Sequence, residues 1–172
     1  MTTTISGSTG IDKVADGADM PAGSVIQVVS VSQDTPISTS SVMDYNVLPV
    51  ITQGAEIMST SFTPASATSH LLLWFNTYSH SNGVHSAPFA IFETDGNGST
   101  CIGAIAPRHT YASEAHDATL IMVKKSNTST TPRTYSVRFG AQANNGKTTH
   151  VNTYPRLAGA PQTTLIIQEV SE

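Results

Sequence analysis

The sequence predicts an all-β domain, a jelly-roll-like antiparallel β-sandwich preceded by an extended N-terminal arm. Three observations carry this. Eight to ten short apolar or alternating runs follow one another, most of them separated by turn-forming residues, which is the pattern of a sandwich or jelly roll. No segment keeps a 3.6-residue apolar period for more than one or two turns. Polarity comes mostly from hydroxyls: the 172 residues include 21 Ser and 24 Thr, and charged residues make up only 12%. Thr fits a pleated surface, whereas Lys and Glu are weak strand formers.

Residues 1–23 form the arm. Ile5, Ile11, Val14 and Met20 are its sparse apolar side chains, and Gly7, Gly10, Gly17 and Gly23 break any helical period. Fully extended, such a segment reaches roughly 75 Å at about 3.3 Å per residue. Pro21-Ala22-Gly23 marks a stop, and residues 24–172 form the sandwich. Its first strand, Ser24 to Ser32, is apolar on both faces, and Ile37 to Ile51 holds a second between Pro36 and Pro49. Glu56 to Thr63 follows, with Met58 and Phe62 on one face, and His70 to Ser79 is the most apolar strand. Ala87 to Glu93 and Thr100 to Ile105 flank Asp95-Gly96-Asn97-Gly98, a strong hairpin signal. Thr119 to Lys124 is a further apolar run. Thr134 to Gly140 alternates cleanly, with Tyr135, Val137 and Phe139 on one side. Asn144-Asn145-Gly146 turns the chain into Lys147 to Asn152, and Thr163 to Val170 closes it. Several strands are apolar on both faces, more than one sandwich buries, so some outward faces are expected to meet another subunit, unless long loops cover them.

Composition removes several function classes. The net charge is -4 and the chain has no run of Lys or Arg beyond Lys124-Lys125, so nucleic acid is not an expected partner. The longest apolar run, Leu71 to Phe75, is far short of the ~20 residues that cross a bilayer, and the N-terminus lacks the basic and apolar regions of a signal peptide. No membrane partner is expected. A single cysteine, Cys101, excludes an internal disulfide and fits folding in a reducing cytoplasm.

The chain carries no recognisable catalytic pattern. It has no Gly-x-Ser-x-Gly elbow, phosphate-binding loop or His-Glu-x-x-His, and Glu56, Glu93 and Glu114 stand without a local signature. An enzyme is not expected, and no cofactor. Six histidines (His70, His80, His85, His109, His116 and His150) raise the question of a metal. Zinc sites show a tight local pair plus a second pair, whereas these residues are spread over loops and strand ends, so the expectation is rim histidines and no metal. Asp95-Gly96-Asn97-Gly98-Ser99 resembles the start of a calcium loop, but Thr100 and Ala106 occupy the positions that need Gly and Glu, which favours a hairpin turn. Trp74 lies in the most apolar strand and is expected in the core. Tyr111 and Tyr154, in loop-like polar segments, together with His85 and His116, are the side chains expected to be freest to contact a ligand.

Residues 5–14 (ISGSTGIDKV), Asp16-Gly17 and residues 21–29 (PAGSVIQVV) resemble the start of a β-domain found in virion proteins of tailed bacteriophages, many from aquatic hosts. Residues 62–73 (FTPASATSHLLL) look like that family's strand-loop-strand, and residues 165–170 (LIIQEV) like its closing strand. The resemblance covers both ends of the chain; the middle, about 80 to 160, has no counterpart in it. It implies a homotrimeric jelly roll on the outer surface of a phage particle, assembled in the host cytoplasm. Under that reading the arm docks on a virion protein such as the major capsid protein. An extended polar segment needs a surface with many contacts to offset its ordering entropy, and three arms per trimer multiply attachment through effective concentration. The leading expectation is a capsid decoration or cement protein. A tail fibre or head fibre binding a host surface glycan fits the same leader. A small glycan hydrolase lacks a signature, and a free sugar-binding module leaves the arm without a role.

Overall fold

In the computed structural model, the described residues are 21–109, 116–142, 146–153 and 161–172, with the side chains of His116 and Asp117 left aside. The arm residues Ile5, Ile11, Val14 and Met20 fall outside them, as do Tyr111 and Tyr154. Among the described residues there is no helix, and twelve strands form. They are β1 (Val25–Gln33), β2 (Ile37–Thr39), β3 (Ala55–Phe62), β4 (His70–Ser81), β5 (His85–Ser86), β6 (Phe89–Asp95), β7 (Gly98–Ile105), β8 (Arg108–His109), β9 (His116–Ser126), β10 (Arg133–Phe139), β11 (Thr149–Val151) and β12 (Thr163–Val170).

The pairing of the eight long strands is nested. β1 pairs with β12, β3 with β10, β4 with β9 and β6 with β7, all antiparallel. First meets last and fourth meets fifth, so the chain is one long hairpin. That hairpin is rolled up by two further pairings, β12 with β4 and β10 with β6. The result is two sheets, β1-β12-β4-β9 and β3-β10-β6-β7, the arrangement of a jelly roll. Short β11 pairs with the C-terminal end of β4, past the stretch that β12 occupies, and β2 pairs with β11. The expected fold class holds.

Strand alternation decides what fills the space between the sheets. β4 contributes Leu71, Leu73 and Phe75, β12 contributes Leu165 and Ile167, and β10 contributes Tyr135, Val137 and Phe139; all are fully buried. Phe89 packs between Phe75 and Phe139, with ring centroids 6.2 and 5.9 Å away. A bulge in β3 leaves Ile57 as an extra residue between the partners of Val137 and Arg138, which explains why Ile57 and Met58 are both buried. Gly54 sits at a φ of 64°, and a Cβ there would meet the Phe139 carbonyl oxygen at 2.3 Å, so this turn into β3 requires glycine. Asp95 accepts the Asn97 N–H at 2.8 Å in the β6–β7 turn, with Gly98 at a φ of 129°, as the Asp-Gly-Asn-Gly signal implied.

Three expectations are corrected. The strand expected over 37–51 is confined to β2. Beyond it the chain crosses the outside of the smaller sheet, where Met43 buries itself against Ala90 and Phe92, and Gln53 bonds to Asp44 at 2.6 Å to hold the loop. Trp74 is not in the core: it lies in the opposite phase to Leu73 and Phe75 and is half-buried on the outer face of the larger sheet. His85, expected among exposed contacts, is 3% exposed, because β5 pairs with β8 and the His85 ring bonds to Ser81 of β4 and Thr149 of β11.

Candidate interaction surface

The apolar surplus in the sequence resolves in two ways. On the smaller sheet, residues 40–54 cover the part of the outer face around Ala90, Phe92 and Cys101. On the larger sheet the outer face is open. Its rows run straight across four strands: Val28, Gln168, Leu72, Lys124; then Ser30, Ile166, Trp74, Met122; then Ser32, Thr164, Asn76, Leu120. The middle of this grid is apolar and its rim polar. Met122 is 65% exposed, and Val28 and Leu120 are each 54% exposed, while Leu72, Trp74 and Ile166 are half-buried among them. A depression of about 410 Å³ continues the surface past Asn76, Tyr78, Ala118, Leu120 and Gln162. Contiguous apolar surface with a polar rim marks an interaction site. A second, smaller apolar patch lies on the loop after β2. Tyr45, Val47, Leu48 and Pro49 frame a depression of about 340 Å³ against Ile105, with Asp44 and Asn46 at its edge.

The arm's point of departure is fixed. Ser171 Oγ donates to the Pro21 carbonyl at 2.6 Å and the Gly23 N–H donates to the Ser171 carbonyl at 3.0 Å. The chain therefore enters the sandwich beside the end of β12, at the β1 edge of the open sheet.

Histidines occupy the far end of that sheet. His80 on β4 is the register partner of both His150 on β11 and His116 on β9, and the rings of His80 and His150 stack with centroids 4.4 Å apart. Burial holds the His150 pKa below the ordinary imidazole value. His85 is held on the inner side: Nδ1 bonds to Ser81 Oγ at 2.7 Å and Gly83 O at 3.1 Å, and Nε2 to Thr149 Oγ1 at 3.0 Å. Its pKa is lowered too, first by burial and then by the nearby His109 and Lys147, against the opposing pull of Gly83. The hydrogen bonds make His85 a packing residue rather than a ligand contact.

Two buried carboxylates brace the frame, and neither carried a sequence signature. Glu93 on β6 receives the Lys125 ammonium from β9 and the Tyr135 hydroxyl from β10 at 2.6 Å, with Arg133 at 3.6 Å. This ties the two sheets together at one edge. Burial pushes the Glu93 pKa up, but Lys125, Tyr135 and Arg133 outweigh it and the net shift is downward. Burial and the Glu93 carboxylate push the Tyr135 phenol well above its ordinary range. Glu169, fully buried on β12, accepts from Gln27 Nε2 at 2.6 Å, the N–H groups of Ala65 and Ser66 at 2.9 and 3.0 Å, and Ser69 Oγ at 2.5 Å. Burial again opposes the shift and these donors win, so its pKa is also lowered.

The shifts of the two imidazoles and the two carboxylates point the same way on acidification. Imidazoles kept neutral by burial lose stability as the pH falls below their unfolded value of 6.5. The carboxylates contribute fully above 4.5 and lose their contribution as the pH falls through their lowered folded values. The urea midpoint should therefore be highest at neutral pH, decline from about pH 6.5 and fall further below about pH 4.5. A flat profile between pH 8 and pH 4, in ~1-unit steps, would contradict this.

No family model matches this chain, and no curated protein matches it. Among solved structures it is similar to the Eiger TNF from S. frugiperda, at 10% identity and a TM-score of 0.41, over 81% of this chain and 91% of that one. It is also similar to a chain of infectious bursal disease virus Gx strain, at 13% identity and a TM-score of 0.41, over 84% of this chain. The match spans 38% of that viral chain.

Proposed function

We propose that this protein is a structural protein of a tailed-phage virion: a homotrimeric decoration or cement protein on the capsid surface, attached through residues 1–23. The observation that carries the reading is the open face of the larger sheet, where Leu72, Trp74, Ile166, Met122 and Leu120 form an apolar centre with a polar rim. Packing three copies face to face removes that surface from water, and burial of apolar area is the main driving force for association. The leader's resemblance to virion proteins supplies the particle, and the anchoring of Pro21 and Gly23 beside Ser171 sets where each arm leaves its protomer. A tail or head fibre that binds a host glycan is the second reading. In its favour is the exposed Tyr45, flanked by Asp44 and Asn46 at a surface depression, an aromatic face beside hydrogen-bonding groups.

Copy number in purified particles, measured by quantitative mass spectrometry against the major capsid protein, separates the two. A ratio near one, or a large fraction of it, supports the cement reading; a few copies per particle supports the fibre. Deleting residues 1–20 should leave the domain folded and trimeric and abolish attachment to particles. Attachment retained by the truncated protein would remove the arm from the proposal.

A further inference from the structure

The chain holds three Asn-Gly pairs: Asn82-Gly83, Asn97-Gly98 and Asn145-Gly146, the last with Asn145 outside the described residues. A glycine after asparagine has no side chain to shield its backbone nitrogen, so that nitrogen can reach the asparagine amide carbon. The two described pairs sit in opposite surroundings. At Asn97-Gly98, in the turn between β6 and β7, both residues are exposed, and a Cβ at Gly98 would meet nothing within 4 Å. The main-chain N–H of Asn97 donates to Asp95 Oδ1 at 2.8 Å, while its side-chain amide has no partner among the described residues. At Asn82-Gly83 the reacting groups are held. Asn82 Oδ1 accepts the Thr148 N–H at 2.7 Å, and the Gly83 N–H donates to Ser81 Oγ at 3.1 Å. Gly83 is also buried, with the Lys147 side chain 2.5 Å from where a Cβ would stand.

We propose that Asn97 is a site of spontaneous deamidation, and that its surroundings protect Asn82 from the same reaction. The Gly98 nitrogen gives its proton to solvent and attacks Asn97 Cγ. The new N–Cγ bond closes a cyclic imide, the Cγ–Nδ2 bond breaks, and the nitrogen leaves as ammonia. Water then opens the imide. Cleavage of the N–Cγ bond leaves aspartate on an unchanged main chain; cleavage of the bond between Gly98 N and the Asn97 carbonyl carbon leaves isoaspartate, with the main chain routed through Cβ. Each event consumes one water, releases one ammonia and needs no oxidant or reductant. Both products are ionised at neutral pH, because a carboxyl of this kind titrates near about 3.9, so the chain becomes one unit more negative than its formal -4. Isoaspartate also lengthens the turn that pairs Asp95 with Gly98 and Thr94 with Ser99, where the Thr94 and Ser99 hydroxyls bond at 2.7 Å. Exposed loop tips are where covalent change concentrates, and asparagine is a heat-labile residue. The site stands independently of the virion reading.

The test follows the full folded chain for several weeks in warm, mildly alkaline buffer, beside a sample unfolded in urea. Cleavage after Glu56 and Glu93 puts Asn82 and Asn97 on separate peptides, and mass spectrometry reads the change from amide to acid on each. In the folded chain Asn97 should convert at least about tenfold faster than Asn82, because the Gly83 nitrogen is released only by local opening. In urea the two sites should convert at comparable rates, since glycine follows both. Chromatography should resolve two acidic products of the Asn97 peptide. Asn97→Gln keeps an amide on a longer side chain and should leave that peptide unmodified. Asn97 intact in the folded chain after the unfolded chain has largely converted it, or Asn82 keeping pace with Asn97 in the folded chain, overturns the proposal.

Discussion

Glu169→Ala should be among the most destabilising single substitutions in this protein, by about 3 kcal/mol, a fall in melting temperature of roughly 6–12 °C. The carboxylate has no solvent exposure and collects four donors: an amide, two backbone N–H groups and a hydroxyl. Alanine strands them. Each buried donor left unmade costs about 1–3 kcal/mol, and water entering the hole satisfies some of them, which sets the total near 3 rather than higher. Residues 63–69 lose the group that holds them against β12, so proteolytic nicking of that loop should rise in parallel. Thermal and urea unfolding measure the effect. A loss under about 0.5 kcal/mol, the range of ordinary surface changes, would show that the carboxylate contributes little beyond filling space.

Met122→Glu combined with Leu120→Glu should convert the proposed trimer to monomer. Both side chains are more than half exposed in the protomer, so the fold of one copy should change by no more than about 0.5 kcal/mol. In the assembly each new carboxylate faces apolar neighbours without a partner, and desolvating an unpaired charge costs several kcal/mol per site. Three-fold symmetry repeats that penalty. Light scattering should report about three times the 18.1 kDa chain mass for the parent and a single chain for the variant, with unchanged circular dichroism. A variant that keeps the trimer mass would place the interface on another face.

The strands were legible in the sequence wherever alternation was clean. Thr134 to Gly140 sorts Tyr135, Val137 and Phe139 to one side, and the structure buries all three. Alternation failed where every position is apolar. In Leu71 to Phe75 nothing distinguishes the inward phase, so a place in the most apolar strand predicts a core position for Trp74, whereas Leu71, Leu73 and Phe75 face the core. Glu169 was readable in hindsight: it shares the phase of Leu165 and Ile167, and a carboxylate in a buried phase must be bonded. The histidine row was not legible, because register between distant strands is set by tertiary pairing and leaves no local spacing. The bridging role of Glu93 was hidden for the same reason, since Lys125 and Tyr135 come from other strands.

The nested pairing has a consequence for synthesis. β12 lies between β1 and β4, so it fills the middle of its sheet although it is the last strand to be made. Until it has left the ribosome tunnel, β1 has no neighbour in that sheet and the edge of β4 opposite β9 stays unpaired over His70–Asn76. The nascent chain can close the central hairpin of β6 and β7 early, but the sandwich as a whole is completed only after translation has passed Val170. Folding must then bring together segments from opposite ends of the chain, the slow class of topology. Such a chain carries uncovered strand edges throughout elongation, and its low density of charge leaves few gatekeepers to protect them.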